Sequence, residues 1–387
     1  MRGAKPFSSP VYITRPLLPE LKDLGEMLET IWESGYLTNN GKTLRQLELE
    51  LKSFLKAEQL SLFSNGTAAL QIACRVLGLR GEVITTPFTF AATAHSLSWC
   101  GLKPVFCDID YSDMNMDPGG LEALITPDTS AVLPVHVFGN PCRVHEISEI
   151  ADKHGLKVIY DAAHAFGVET GGRPVGSYGD ITMFSFHATK IFHTVEGGAL
   201  SFNSPGLKER AELLRNFGIF DEECVIEPGT NAKLNELQAA VGRLVLRLVE
   251  EEIRKRKALT YLYRRLLAGI PGLRCCEDVE GVTHNYSYFV VRIDADEFGM
   301  TRDGLFERLK EYNVHARKYF YPLCSQFLCY RSLPSSNPRH LPAANKVAGE
   351  VLTLPLYGEL PEEHVERICR IISLIRLNNA GGPACVT

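Results

Sequence analysis

The sequence predicts an α/β fold with a mostly parallel sheet in a large domain and a smaller C-terminal α/β domain. Residues 60–200 alternate short β-branched apolar runs with helical patterns, the order that builds a parallel sheet covered by helices. Ala-Val-Leu-Pro-Val-His-Val at 131–137 is almost unbroken in apolar character, as in strands buried on both faces. With 387 residues, 45% of them hydrophobic, the chain can bury one large core and a second smaller one.

Taken in order, strands are expected at 60–63, 82–86, 104–109, 131–137, 158–160 and 181–186. After the first, Leu70, Ala73, Cys74 and Leu77 share one helical face. After Asn235, the spacing of Leu237, Ala240, Val241, Leu244 and Leu248 predicts one long helix that turns strongly charged through 250–257 and leaves the large domain. Residues 286–294 read as a strand. Residues 301–314 read as a helix with Leu305, Leu309 and Tyr312 on one face. The expected division is 1–248 for an N-terminal segment and large domain, 249–376 for the small domain, and 377–387 for a mobile tail poor in apolar residues.

A net charge of −5 and a pI near 6.2 argue against nucleic acid or an anionic membrane as partner. No apolar stretch approaches the roughly 20 residues that span a bilayer, and the first residues lack a signal-peptide core, so a cytoplasmic protein is expected. The eleven cysteines are odd in number and scattered (Cys74, Cys100, Cys107), which suits reduced thiols. Cys275-Cys276 and Cys324 with Cys329 lack the spacing of zinc ligands, so no metal is expected. No dinucleotide fingerprint, P-loop, His-Glu-x-x-His motif or Gly-x-Ser-x-Gly elbow occurs.

The chemistry concentrates in a few residues beyond expected strand ends, where α/β sheets bind ligands. Lys190 closes Phe-Ser-Phe-His-Ala-Thr-Lys, shortly after Asp161 in Val-Ile-Tyr-Asp-Ala-Ala-His-Ala. A dehydrated primary amine can lose its proton and condense with an aldehyde, and a buried acid can hold a cationic ring nitrogen. Pyridoxal phosphate needs both groups. Ser64-Asn65-Gly66-Thr67 opens a helix whose amides suit a phosphate, although a polar helix start is more often only a cap. His164 is near enough to Asp161 to touch such a ring. Phe90 is placed to stack on it, and Ser185 is a further phosphate donor.

Ser-Asn-Gly-Thr-Ala-Ala-Leu, Asp-Ala-Ala-His-Ala, Ser-Phe-His-Ala-Thr-Lys with Glu-Gly-Gly, and Gly-Thr-Asn-Ala-Lys-Leu-Asn-Glu together resemble the DegT/DnrJ/EryC/StrS family of pyridoxal-phosphate-dependent nucleotide-sugar aminotransferases. The resemblance runs through nearly the whole chain. It implies fold type I (aspartate aminotransferase-like), a homodimer with shared active sites, and Lys190 as the Schiff-base lysine. It assigns Gly66, Thr67 and Ser185 to the cofactor phosphate, Asp161 to the pyridine nitrogen, His164 to the phenolic oxygen and Phe90 to the ring face. Asn231 is assigned to the partner subunit's cofactor. Two departures stand out: many members carry glutamine at the position of His164, and proline at that of Lys42.

The runs at 82–99 and 315–320 look closest to dTDP-4-keto-6-deoxy-D-glucose 4-aminotransferases, which form dTDP-4-amino-4,6-dideoxy-D-glucose with glutamate as usual donor, released as 2-oxoglutarate. A 3-aminotransferase acting on dTDP-3-keto-6-deoxyhexose is the alternative, and a non-catalytic cofactor-binding regulator a more distant one. Arg317 and Lys318 are candidates for the nucleotide's pyrophosphate, since cationic forks match phosphate oxygens, while a solvated basic pair is the plainer reading.

Overall fold

The computed structural model describes residues 5–380. Its centre is a seven-stranded sheet of β1 (Gln59–Phe63), β2 (Glu82–Thr85), β3 (Lys103–Phe106), β4 (Thr129–Leu133), β5 (Lys157–Asp161), β6 (Ile181–Ser185) and β7 (Gly198–Phe202), in the spatial order β1-β7-β6-β5-β4-β2-β3. The pairs among β2 to β6 are parallel. β7 runs antiparallel to both β6 and β1. It was not foreseen, because Gly198 opens it directly after a glycine and its link from β6 is a short irregular loop. With no helical crossover in that link, the chain must return antiparallel.

Helices cover both faces: α1 (Leu21–Ser34), α2 (Lys42–Phe54), α3 (Gly66–Val76), α4 (Ala91–Trp99), α5 (Val144–His154), α6 (Pro205–Leu214) and α7 (Glu236–Leu246). Strand interiors such as Val83, Ile84, Val132, Leu133 and Ile159 are fully buried, as two-sided covering requires. The expected strand at 131–137 stops at Leu133, and Val137–Gly139 forms a tight turn that brings the Phe138 amide to the ligand end of the sheet.

The single long helix expected after Asn235 is two helices, α7 and α8 (Val249–Leu267). They meet where the Leu248 amide bonds the Val245 carbonyl at 2.9 Å, a tighter three-residue step that redirects the chain. The smaller unit holds the antiparallel sheet of β8 (Leu273–Cys275), β9 (Phe289–Ile293) and β10 (Val351–Leu354). It is packed with α8, α9 (Arg302–Lys310), α10 (Pro342–Glu350) and α11 (Glu362–Ala380).

Two expected boundaries change. Phe7 and Val11 belong to the small unit's core, and Val11–Tyr12 pairs with Val314–His315, because the N-terminal run bonds along the strand after α9 while Phe7 packs against His364 and Arg367 of α11. Residues 377–380, expected in a mobile tail, continue α11 as helix; 381–387 lie outside the described residues. Among the described residues no helix is long and apolar enough to cross a membrane.

One buried ion pair fastens this junction. Arg256 and Glu252 on α8 are 1% and 4% exposed, and Arg256 Nε donates to Glu252 Oε1 at 2.6 Å. The same carboxylate accepts the Gly358 amide at 2.8 Å, and Arg256 Nη1 donates to the Ser287 carbonyl at 3.1 Å. Removing one partner of such a pair strands the other charge without water. Arg256→Met is therefore expected to lower unfolding free energy by about 3–5 kcal/mol in denaturant titration; a loss under about 1 kcal/mol would show that this pair does not anchor the junction.

Candidate active site

Lys190 stands in the turn after β6, its amide bonded to the His187 carbonyl at 2.8 Å. The side chain keeps some solvent exposure, but its amine lies among protein atoms, and desolvation pushes its pKa down to about 8, against the opposing pull of Tyr319 and Asp161. Nζ lies 3.5 Å from the Tyr288 hydroxyl. An amine held near neutrality is available as nucleophile and base.

Asp161 is the last residue of β5 and only 4% exposed. Its Oδ2 accepts the Thr93 hydroxyl at 2.8 Å and its Oδ1 the Ala163 amide at 3.0 Å. Burial raises its pKa, while Ala163, Thr93 and the Lys190 charge hold it down. Among the described residues Asp161 forms no ion pair, so its carboxylate is held by these two hydrogen bonds and the charge of Lys190 alone.

His164 is buried, its ring stacked on Phe320 at 5.8 Å and Phe138 at 6.2 Å between centroids. Burial holds its pKa well below the usual value, so the imidazole is neutral. Nδ1 accepts the Phe138 amide at 3.2 Å, which leaves the proton on Nε2 as a donor. Phe138 adopts a φ of 57° to offer that amide.

The strand ends also build an anion corner. Asn65 caps α3 by accepting the Ala68 amide at 2.8 Å, and the first amides of a helix lack intrahelical partners. A Cβ on Gly66 would stand 3.3 Å from the Ser185 Cβ, and one on Gly198 2.8 Å from the Gly66 nitrogen. These close approaches bring the helix start, with exposed Thr67, against the Ser185 end of β6. Phe90, just before α4, is 61% exposed, unlike the fully buried Phe88.

The sequence candidates do not all converge. Lys190, Asp161 and His164 cluster, and Gly66 and Ser185 adjoin each other. Asn231 is exposed on a segment that follows the sheet edge, where the Ala232 carbonyl accepts the Ser64 amide. Arg317 is exposed and lies over Tyr319 at 6.0 Å, whereas Lys318 turns away to pair with Asp303 at 2.7 Å. Thr93, Tyr288 and Tyr319 were missed. Thr93 and Tyr319 stood inside runs already singled out, 82–99 and 315–320, whereas Tyr288 belongs to the small unit and carries no motif.

The sequence profile of the DegT/DnrJ/EryC1/StrS aminotransferase family matches residues 20–373. The chain belongs to this family. Its members are pyridoxal-phosphate-dependent enzymes, and this chain is such an aminotransferase. It is 46% identical to the dTDP-4-amino-4,6-dideoxy-D-glucose transaminase of Escherichia coli, over 93% of this chain and 97% of that one. With the enzyme of the same name from Shigella dysenteriae it shares 44% over 95% and 99%. The structure of DesI with its TDP-sugar product superposes with a TM-score of 0.92 at 37% identity, covering 98% of this chain and 95% of that one.

The residues present fit the cofactor. A near-neutral amine, an unpaired buried carboxylate, a neutral imidazole donor and a glycine-lined helix start beside a serine are the groups that its aldehyde, ring nitrogen, phenolic oxygen and phosphate require. The tightest element is the glycine contact. Gly198→Ala is expected to push the start of α3 away from β6, at about 1–3 kcal/mol in stability, and to weaken cofactor affinity measured by fluorescence titration. Unchanged affinity would show that the close approach is not what shapes the anion corner.

Proposed function

We propose that this enzyme transfers an amino group from glutamate to C4 of dTDP-4-keto-6-deoxy-D-glucose, giving dTDP-4-amino-4,6-dideoxy-D-glucose and 2-oxoglutarate. The observation that carries the sugar assignment is the near-full-length identity with two enzymes bearing that product's name. Bound pyridoxal phosphate supplies an electron sink for the charge left when a proton leaves the carbon bearing the transferred nitrogen.

The chain's own residues supply the rest. Lys190 Nζ, the proposed Schiff-base position, takes the proton from the donor's α-carbon in one half-reaction and, as a general acid–base, manages the corresponding proton at the sugar's C4 in the other. Its depressed pKa, about 8, suits a group that must both accept and release a proton near neutrality. Asp161 provides the negative charge that keeps a ring nitrogen protonated. His164 donates from Nε2 to the phenolic oxygen, Gly66, Thr67 and Ser185 hold the phosphate, and Phe90 covers a ring face. Arg317 is retained for the nucleotide's phosphates. Lys318 is not, because Asp303 occupies its charge.

The working unit in this proposal is a homodimer in which Asn231 of one subunit reaches the cofactor phosphate of the other. Exposed Phe217, Phe220, Val225 and Ile226 lie on the segment leading to Asn231, and an apolar surface of this kind is characteristic of an interface.

Incubation with pyridoxal phosphate, glutamate and dTDP-4-keto-6-deoxy-D-glucose is expected to place nitrogen on C4, read by NMR, while Lys190→Ala yields no product. Turnover of the 3-keto isomer alone would reassign the substrate, and product from Lys190→Ala would remove the lysine from the mechanism. Separately, inactive Lys190→Ala and impaired Asn231→Ala subunits are expected to regain activity when co-expressed, because a hybrid dimer holds one intact site. If co-expression restores nothing, Asn231 does not act across the interface.

A further inference from the structure

Tyr288 precedes β9 on the small unit, yet it sits among the groups already described. Its hydroxyl is 3.5 Å from Lys190 Nζ. Its ring lies 4.8 Å from that of His164 and stands edge-on to Phe138 and Tyr319 at 6.0 and 5.9 Å. The residues before it are fastened to the large domain: Asn285 Nδ2 donates to the His164 and Phe166 carbonyls at 2.9 Å each, and Ser287 Oγ donates to the His164 carbonyl at 3.0 Å. Arg256, fixed by the buried pair on α8, holds the Ser287 carbonyl from the other side. The segment that carries Tyr288 is thus tied to the loop that carries Asp161 and His164.

We propose that Tyr288 is a positioning residue for Lys190, its phenolic oxygen accepting a hydrogen bond from the free amine and holding Nζ beside Asp161 while the amine carries a proton. This inference rests on the reading of Lys190 as the base. A lysine head rides on a flexible four-carbon stem, and no side-chain hydrogen bond to Nζ other than that of Tyr288 is found among the described residues. An acceptor oxygen serves both protonation states. It engages one N–H of the neutral amine and leaves the lone pair for the incoming proton, and it engages the ammonium more strongly. The phenol remains un-ionised, since burial pushes its own pKa up to about 12.

The charged and titratable groups facing the amine are Asp161 at the end of β5, His164 in the loop after it, and Tyr319 from the small unit, with Arg317 acting on Tyr319. Against that background, removing an acceptor from the ammonium destabilises the charged form and lowers the pKa of Lys190. Half-maximal exposure of neutral amine then moves to lower pH.

The test uses Tyr288→Phe, which keeps the ring and removes the oxygen. Cofactor-free protein is treated with cyanate across pH, and carbamylation of Lys190 is followed by peptide mass spectrometry. The wild-type midpoint is expected near pH 8, and that of the variant lower by about half a unit to one unit. In the loaded enzyme kcat is expected to fall about tenfold to a hundredfold, with KM for both substrates changed less than about twofold. If the variant has the wild-type thermal midpoint but an unshifted carbamylation midpoint, the proposal is overturned whatever kcat does, and Tyr288 is left as packing against His164. If it folds poorly, Tyr288→Gln, which supplies another acceptor, is expected to keep the wild-type carbamylation midpoint, and a shifted one overturns the proposal. Borohydride reduction of loaded wild-type enzyme checks the underlying reading independently: cofactor fixed anywhere but Lys190 refutes the lysine assignment without reference to Tyr288.

Discussion

A primary amine serves as a base near neutral pH only where water is kept from solvating its ammonium form, and the surroundings of Lys190, the proposed base, meet that requirement. Desolvation lowers the pKa of the amine to about 8, but the same dehydration also raises that of Asp161, whose charge the proposed ring-nitrogen contact requires. The conflict is resolved locally. Thr93 and the Ala163 amide donate to the carboxylate and favour its ionised form, while Lys190 has no comparable anionic ligand in hydrogen-bond contact. Two groups a short distance apart thus keep different balances between charged and neutral forms because their hydrogen-bond partners differ.

Such a pocket needs walls on every side, and one sheet supplies only its floor. The ends of β1, β5 and β6 deliver Gly66, Asp161 and Ser185 to one edge, where the ligand site of an open α/β sheet is expected. The antiparallel β7 completes the floor by passing so close to the start of α3 that only glycine fits at 198. The roof comes from the small unit: Phe320 stacks on His164, Tyr288 meets the amine, and Asn285 and Ser287 bond the carbonyl of His164. The chain after α8 is therefore part of the site as well as a neighbouring core. The buried Glu252–Arg256 pair takes on meaning in this setting, since its hydrogen bonds reach both Gly358 and Ser287 and hold the roof segment at a fixed height.

Hydrogen-bond direction sets the chemistry of the remaining polar groups. The Phe138 amide, presented from a left-handed backbone conformation, binds Nδ1 of His164 and so fixes the proton on Nε2. Of the two adjacent cations, Lys318 is neutralised by Asp303, whereas Arg317 lies over Tyr319 and is exposed. Adjacent side chains of an extended backbone alternate sides, and this separates their partners.

Much of the site was legible in the order of residues. Local motifs sit where strands end and helices begin, so Gly66, Asp161, Ser185 and Lys190 stand out as candidates through turn chemistry and residue type, and alternating apolar runs determined the parallel sheet. The sequence alone was less able to stop strands at the right residue, to place β7, or to see that one helical pattern would break at Leu248, because each depends on what packs against the segment. The largest part left to tertiary structure was the partnership of Thr93, Tyr288 and Tyr319 with Lys190 and Asp161. The tyrosines lie about a hundred residues or more beyond Lys190 in the chain, and their pattern is that of ordinary half-buried side chains. Only the closure of the small unit over the sheet, held by Asn285, Ser287 and Arg256, brings their hydroxyls near the amine; proximity of that kind arises from packing and has no counterpart in local spacing.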